Sequence, residues 1–166
     1  MKLFHTFINS NERLVSRMNN ILYAMIESFK NMQEEIHRVL NLSSFTEEEN
    51  NKLFLSVGTC LHSILDYADR VKIEKKDEKL VSAFRYANNS LKHCIEVKDI
   101  TKQNGGFTFP IEFPLVIAKK EVVWSIIDNG GEDKKNQRNN YKKLLEEKEI
   151  IETCKNVIEI LEKYEL

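Results

Sequence analysis

The amino-acid sequence predicts an all-α fold, an up-down four-helix bundle with a β-hairpin inserted before the last helix. Three observations lead there. Apolar residues recur at three- and four-residue steps through most of the chain, the spacing that lines one face of an α-helix. Both prolines, Pro110 and Pro114, fall within residues 105–131, as do both Gly-Gly pairs, Gly105-Gly106 and Gly130-Gly131. Inside those brackets the apolar residues alternate with polar ones instead of stepping along a helix face.

The bulk numbers set the frame for these elements. A chain of 166 residues suits one domain over residues 1–166, with the hairpin insertion at about 105–131, and such a domain buries roughly 70% of its unfolded surface. Composition is 42% hydrophobic and 31% charged, with a formal net charge of -1. No global field draws the chain onto nucleic acid or membrane, so any basic patch must be local. No apolar run reaches the roughly 18 residues needed to cross a bilayer, and the start meets polar residues too soon for a secretory signal. A cytoplasmic protein without membrane contact is expected. The three cysteines, Cys60, Cys94 and Cys154, are widely spaced and form no C-x-x-C pair. Buried free thiols are expected, with no metal site.

In chain order, Leu14, Val15, Met18, Ile21, Leu22, Met25, Phe29, Met32, Ile36 and Val39 mark the first helix. It is expected to be solid from about Glu12 to Leu40 and broken or frayed near Asn9–Asn11. Asn41 to Ser44 is a turn, and Thr46 with Glu49 has the spacing of a capping box. Leu53, Val57, Cys60, Leu61, Ile64, Ala68 and Val71 carry the second stripe, so the short turn makes helices 1 and 2 antiparallel neighbours. Gly58 inside helix 2 costs roughly 1 kcal/mol against Ala, which close approach of another helix would explain. Asp77 is the expected N-cap of the third helix, whose stripe runs through Leu80, Phe84, Ala87, Leu91, Cys94 and Ile95.

The hairpin is expected from the alternation of Phe107, Phe109, Ile111 and Phe113, and then of Val122, Trp124 and Ile126, with a turn near Ala118–Glu121. Two strands alone are marginal in water, so they must lie on the helices or on another chain. Asp128 to Asn140 reads as a polar linker that ends in the only dense basic run, Lys134–Lys143. One last helix then follows through Tyr141, Leu144, Leu145, Ile151, Cys154, Val157, Ile158 and Leu161.

The residues with chemistry concentrate at Ser82–Cys94, S-A-F-R-Y-A-N-N-S-L-K-H-C. On one continuous helix, 100° per residue places Asn88 within the apolar arc and Arg85, Asn89 and His93 on an outward polar row. A buried Asn88 amide must find partners, since an unpaired one costs about 1–3 kcal/mol. The outward row suits phosphate chemistry: His moves protons near neutral pH, Arg holds a phosphate bidentately and an amide orients either. His62 and Asp66 stand four apart on helix 2 and form a second candidate dyad for binding, with Asp69 one turn further. Glu34-x-x-His37 is half of a carboxylate di-iron pattern whose other half is absent. The Lys134–Lys143 run could meet a nucleic-acid backbone. There is no P-loop and no G-x-G-x-x-G in the sequence, which removes most nucleotide-dependent enzymes.

The segment R-Y-A-N-N-S-L-K-H resembles the motif helix of the HEPN superfamily, small helical-bundle proteins of toxin–antitoxin, phage-defence and CRISPR systems. That family motif is Arg, a polar residue often Asn, and a His four to six residues beyond the Arg. Here seven residues separate Arg85 from His93, while Asn88-x4-His93 has the family spacing with Asn in place of Arg. The resemblance implies an RNA-binding homodimer with metal-independent endoribonuclease activity and no cofactor, working beside an antitoxin or another defence partner. Arg85, Asn89 and His93 would carry the catalysis, with Asn88 in binding; His62 and Asp66, outside the motif, are added as binding candidates from their spacing on helix 2. The alternative is a non-catalytic helical interaction or dimerisation module in which these residues are structural.

Overall fold

Two long helices form the frame, α1 (Lys2–Leu40) and α2 (Glu47–Ala68). The computed structural model describes residues 2–104, 115–127 and 135–164. Helix α1 runs unbroken through Asn9–Asn11, because Asn lowers helix propensity only by a fraction of a kcal/mol and neither Gly nor Pro stands there. At its end the Asn41 side chain donates to the His37 carbonyl at 2.7 Å, and the chain turns. The Thr46 hydroxyl accepts the Glu49 N–H at 3.2 Å, so the expected cap is present. Only half of the capping box forms. The Glu49 carboxylate reaches across to Arg38, which also holds Glu35 at 2.7 Å. This carboxylate–guanidinium–carboxylate cluster ties the end of α1 to the start of α2, across the short turn that makes the pair antiparallel.

Helix α3 (Lys75–Asn89) begins after Glu74 instead of at Asp77, whose carboxylate accepts the Tyr164 hydroxyl at 2.5 Å. It also ends sooner than its apolar spacing suggests. Leu91–His93 is a 3-10 turn, and Ile95 already lies in strand β1 (Ile95–Asn104). Strand β1 pairs antiparallel with β2 (Leu115–Trp124), with Ile95 opposite Trp124 and Asn104 opposite Leu115. The hairpin is therefore longer on its N-terminal side than expected. Ala118–Glu121 is mid-strand and not a turn, where Lys98 faces Glu121 across the ladder. Such an opposite-charge pair supports a strand register. The alternation of Phe107 to Phe113 lies outside the described residues, as do Pro110, Pro114 and both Gly-Gly pairs.

Residues 128–134 of the expected linker lie outside the described residues; from Lys135 on, the rest of that linker and the single last helix are two helices. Helix α4 (Lys135–Leu144) takes up most of the basic run, and α5 (Ile150–Leu161) follows. Between them Glu147 adopts a left-handed φ of 61°, which lets the chain reverse. An L-residue there costs roughly 1–2 kcal/mol. Two backbone bonds hold the reversal, Glu147 N–H to the Trp124 carbonyl at 2.8 Å and Lys148 N–H to Leu145 at 2.9 Å. The described residues thus hold five α-helices and one two-stranded antiparallel hairpin.

One core joins them. Met25, Met32 and Ile36 of α1 meet Leu53, Val57 and Leu61 of α2, Phe84 and Ala87 of α3, and Ile150, Val157 and Leu161 of α5. Trp124 at the end of β2 is fully buried among them. Its Nε1 donates to Thr153 Oγ1 at 2.7 Å, and Phe84 meets its ring edge-on with centroids 6.0 Å apart. The hairpin base is therefore a core element, which answers how two strands are kept stable. All three cysteines are free and buried.

Candidate functional site

Helix α3 supplies the first part of the site and a non-helical turn supplies the rest. Arg85 and Asn89 are four apart on α3, so they share a face. His93 does not continue their row. The helix stops at Asn89, and the chain tightens into the 3-10 turn that carries His93. The correction is geometric: a 100° step per residue holds only while the chain stays α-helical. Asn89 and His93 are both exposed, and Arg85 is half-exposed. Asn88 turns inward as expected, with its Oδ1 buried, but that oxygen has no hydrogen-bond partner among the described residues.

Arg85 is engaged already. Its guanidinium pairs with Asp69 at the end of α2, which fixes α3 to α2 at the site's edge. A pair this exposed contributes little stability.

The His62–Asp66 dyad does not form. His62 Nδ1 lies 2.7 Å from the carbonyl of Gly58 on its own helix, and Asp66 pairs with Arg70 at 3.0 Å. Gly58 has a second neighbour. A Cβ built there would lie 2.7 Å from Leu91 Cδ2, so the absent side chain makes room for the first residue of the 3-10 turn. The close approach inferred from Gly58 is real, but a turn makes it and not a helix.

The turn at Ser90–Cys94 has several anchors. His93 N–H donates to the Ser90 carbonyl at 2.8 Å, and Ser125 N–H donates to the Cys94 carbonyl at 2.9 Å. The Ser125 hydroxyl donates to the His93 carbonyl, and the Tyr141 hydroxyl donates to the Ser125 carbonyl at 2.7 Å. Sequence reasoning missed Ser125 altogether, since a lone Ser after a strand carries no signal. Cys94 is no nucleophile. Burial pushes its thiol up to about 12, and the thiol lies 3.5 Å from the carbonyls of Ala87 and Leu91. Burial also pushes Cys154 up, with the Cys60 thiol beside it. Glu34 and His37 are exposed on α1, and no group of three metal-ligating side chains occurs among the described residues.

Helix α4 completes the neighbourhood. It carries Lys135, Arg138, Lys142 and Lys143 and no acidic residue, and it packs along α3. Asn140 donates to Ser82 Oγ at 3.2 Å, and the Tyr86 and Tyr141 rings meet at a tilt of 49° with 5.4 Å between centroids. The basic run and the Arg85–His93 segment, separate in sequence, are on adjacent elements. No helix among the described residues is long and apolar enough to cross a membrane. Comparison with protein-family models, with curated proteins and with solved structures finds no match to this chain.

Proposed function

We propose that the chain is a HEPN-like RNA-binding protein that cleaves RNA without a metal, working in the cytoplasm as a homodimer with an up-down bundle in each protomer. A toxin–antitoxin or defence setting with a protein partner belongs to the same reading. One observation carries it: the basic helix α4 lies against α3, which carries Arg85 and Asn89 and leads into the 3-10 turn that carries His93. Lysines of α4 supply sequence-independent phosphate attraction. Arg85, released from Asp69, holds the scissile phosphate. His93 takes the proton of a ribose 2′-hydroxyl as that oxygen attacks phosphorus. The bond from phosphorus to the 5′ oxygen breaks and that oxygen gains a proton, leaving a cyclic phosphate and a 5′-hydroxyl.

The test uses purified protein and RNA in EDTA. His93→Ala abolishes cleavage, and Arg85→Ala weakens it while RNA is still held through α4. Neutralising Lys135 and Lys143 together weakens binding to unrelated RNAs alike. It also lowers the salt slope by about one to two, one for each phosphate that the lysines no longer neutralise. Cleavage that survives His93→Ala removes His93 from the mechanism.

The Arg85–Asp69 pair favours a second reading, a non-catalytic helical interaction module in which these groups are structural. In that case His93→Ala and Arg85→Ala change melting or dimerisation and leave RNA untouched.

A further inference from the structure

We propose that Ser125 and Tyr141 are positioning residues for His93, a role that rests on the reading of His93 as the proton-transfer group. The backbone around His93 has little regular support. A 3-10 turn has poorer hydrogen-bond geometry than an α-helix and is stable only in short pieces, and here the Cys94 N–H to Leu91 bond is long at 3.4 Å. The turn is held from outside. Ser125, just past the end of β2, grips it twice: its N–H on the Cys94 carbonyl and its hydroxyl on the His93 carbonyl. The second grip falls on the residue that bears the imidazole, so it limits the direction of the Cα–Cβ bond.

Ser125 is itself held by Tyr141, whose hydroxyl donates to the Ser125 carbonyl. Tyr141 is fully buried on α4 with its ring against Tyr86. Burial pushes its phenol well above the ordinary range, so it keeps its proton and remains a donor. The result is one path of hydrogen bonds from the basic helix to the imidazole-bearing turn: Tyr141 to Ser125 to His93. The helix that attracts RNA and the residue that reacts with it are thereby set in a common frame. Leu91 over Gly58 anchors the other end of the same turn.

The experiment uses the full chain with 15N-labelled histidine, the His93 signals being assigned by their loss in His93→Ala. Ring relaxation at His93, cleavage kinetics in EDTA and melting temperature are measured for wild type, Ser125→Ala, Ser125→Thr and Tyr141→Phe. Ser125→Ala and Tyr141→Phe are expected to raise the mobility of the His93 ring and to lower kcat about tenfold, since small misplacements of a reacting group are costly. KM stays within about twofold because α4 is intact, and Ser125→Thr, which retains a hydroxyl, restores both. A purely structural role lowers the melting temperature and leaves His93 ring relaxation unchanged in the folded protein, and that result overturns the proposal. Tyr141→Phe keeps the ring packing and carries the test if Ser125→Ala does not fold. If the wild type cleaves no RNA the catalytic reading fails, while the relaxation measurements still decide whether Ser125 and Tyr141 position His93.

Discussion

The α1–α2 hairpin and the region between Ser90 and Glu149 are held together in opposite ways. In the hairpin, nearly every stabilising contact is local or follows from the helix period. Arg38 meets Glu35 three residues away and Glu49 just across a short turn. The cap at Thr46 is satisfied three residues on. In the second region the contacts span the chain. Ser125 meets His93, Trp124 meets Thr153, and Lys98 meets Glu147 at 3.1 Å. The turn-borne end of the candidate site, His93 and its anchors, lies in that second region. Loop-borne groups positioned by a rigid scaffold are a common arrangement for function, and here the scaffold includes the helical pair, on which the His62–Asp66 dyad does not form.

The largest expected effect comes from removing the residue that holds the second region together. Trp124→Ala empties a fully buried site and orphans Thr153 Oγ1 as an acceptor. A loss of about 3–5 kcal/mol in urea denaturation is expected. A loss below about 1 kcal/mol would mean that the hairpin base is not part of the core.

An intermediate effect tests where the two regions touch. Gly58→Ala adds a Cβ in the space of Leu91 Cδ2. Overpacking costs about 1–3 kcal/mol and the gain in helix propensity offsets about 1 kcal/mol of it. A net loss of about 1 kcal/mol is expected, together with shifted amide signals at Leu91–Cys94. Adding Leu91→Ala relieves the clash, so the double variant costs less than the two single losses summed. Strict additivity would separate the regions.

The smallest effect belongs to the first region. Arg38 holds the carboxyls of Glu35 and Glu49 below the usual range, chiefly through side-chain hydrogen bonds. Because the folded pKa is the depressed one, this stability is present above the unfolded carboxylate range and is lost as pH falls through the folded values. Arg38→Ala is expected to flatten the acid side of the stability curve below about pH 4.5. At pH 7 the effect is the smallest of the three, since the cluster lies at the surface and is only partly buried. An acid limb that keeps its slope in the variant would show that this cluster does not set it.

The sequence could be read where one period governed one element. Helices α1 and α2, the Thr46 cap and the buried thiols were all legible, because amphipathic spacing and capping are local rules. The end of α3 misled for a specific reason. Leu91, Cys94 and Ile95 extend the helical spacing of Phe84 and Ala87, so the apolar stripe runs on past the point where the helix stops. A competing signal was present in Ile95-Glu96-Val97-Lys98, which alternates as a strand does. Of the candidate site, Asn88 was read correctly as the inward residue and Arg85 and Asn89 as sharing a face. The His62–Asp66 dyad was not formed, because each side chain has a nearer partner on its own helix or just beyond its end.

What the sequence determined by itself is a helical protein with a short antiparallel hairpin, an ordinary charge balance and a polar cluster at Arg85–His93. Tertiary structure alone decided three things. It cut the last helix in two, since Glu146-Glu147-Lys148-Glu149 contains no breaker and the reversal depends on bonds from Trp124. It brought α4, with most of the basic run, against α3. It also moved His93 from a helix face to a turn held by Ser125 and Tyr141. The physical reason is the same in each case: these contacts join residues far apart in the chain, and no local periodicity encodes which distant carbonyl a buried donor will meet.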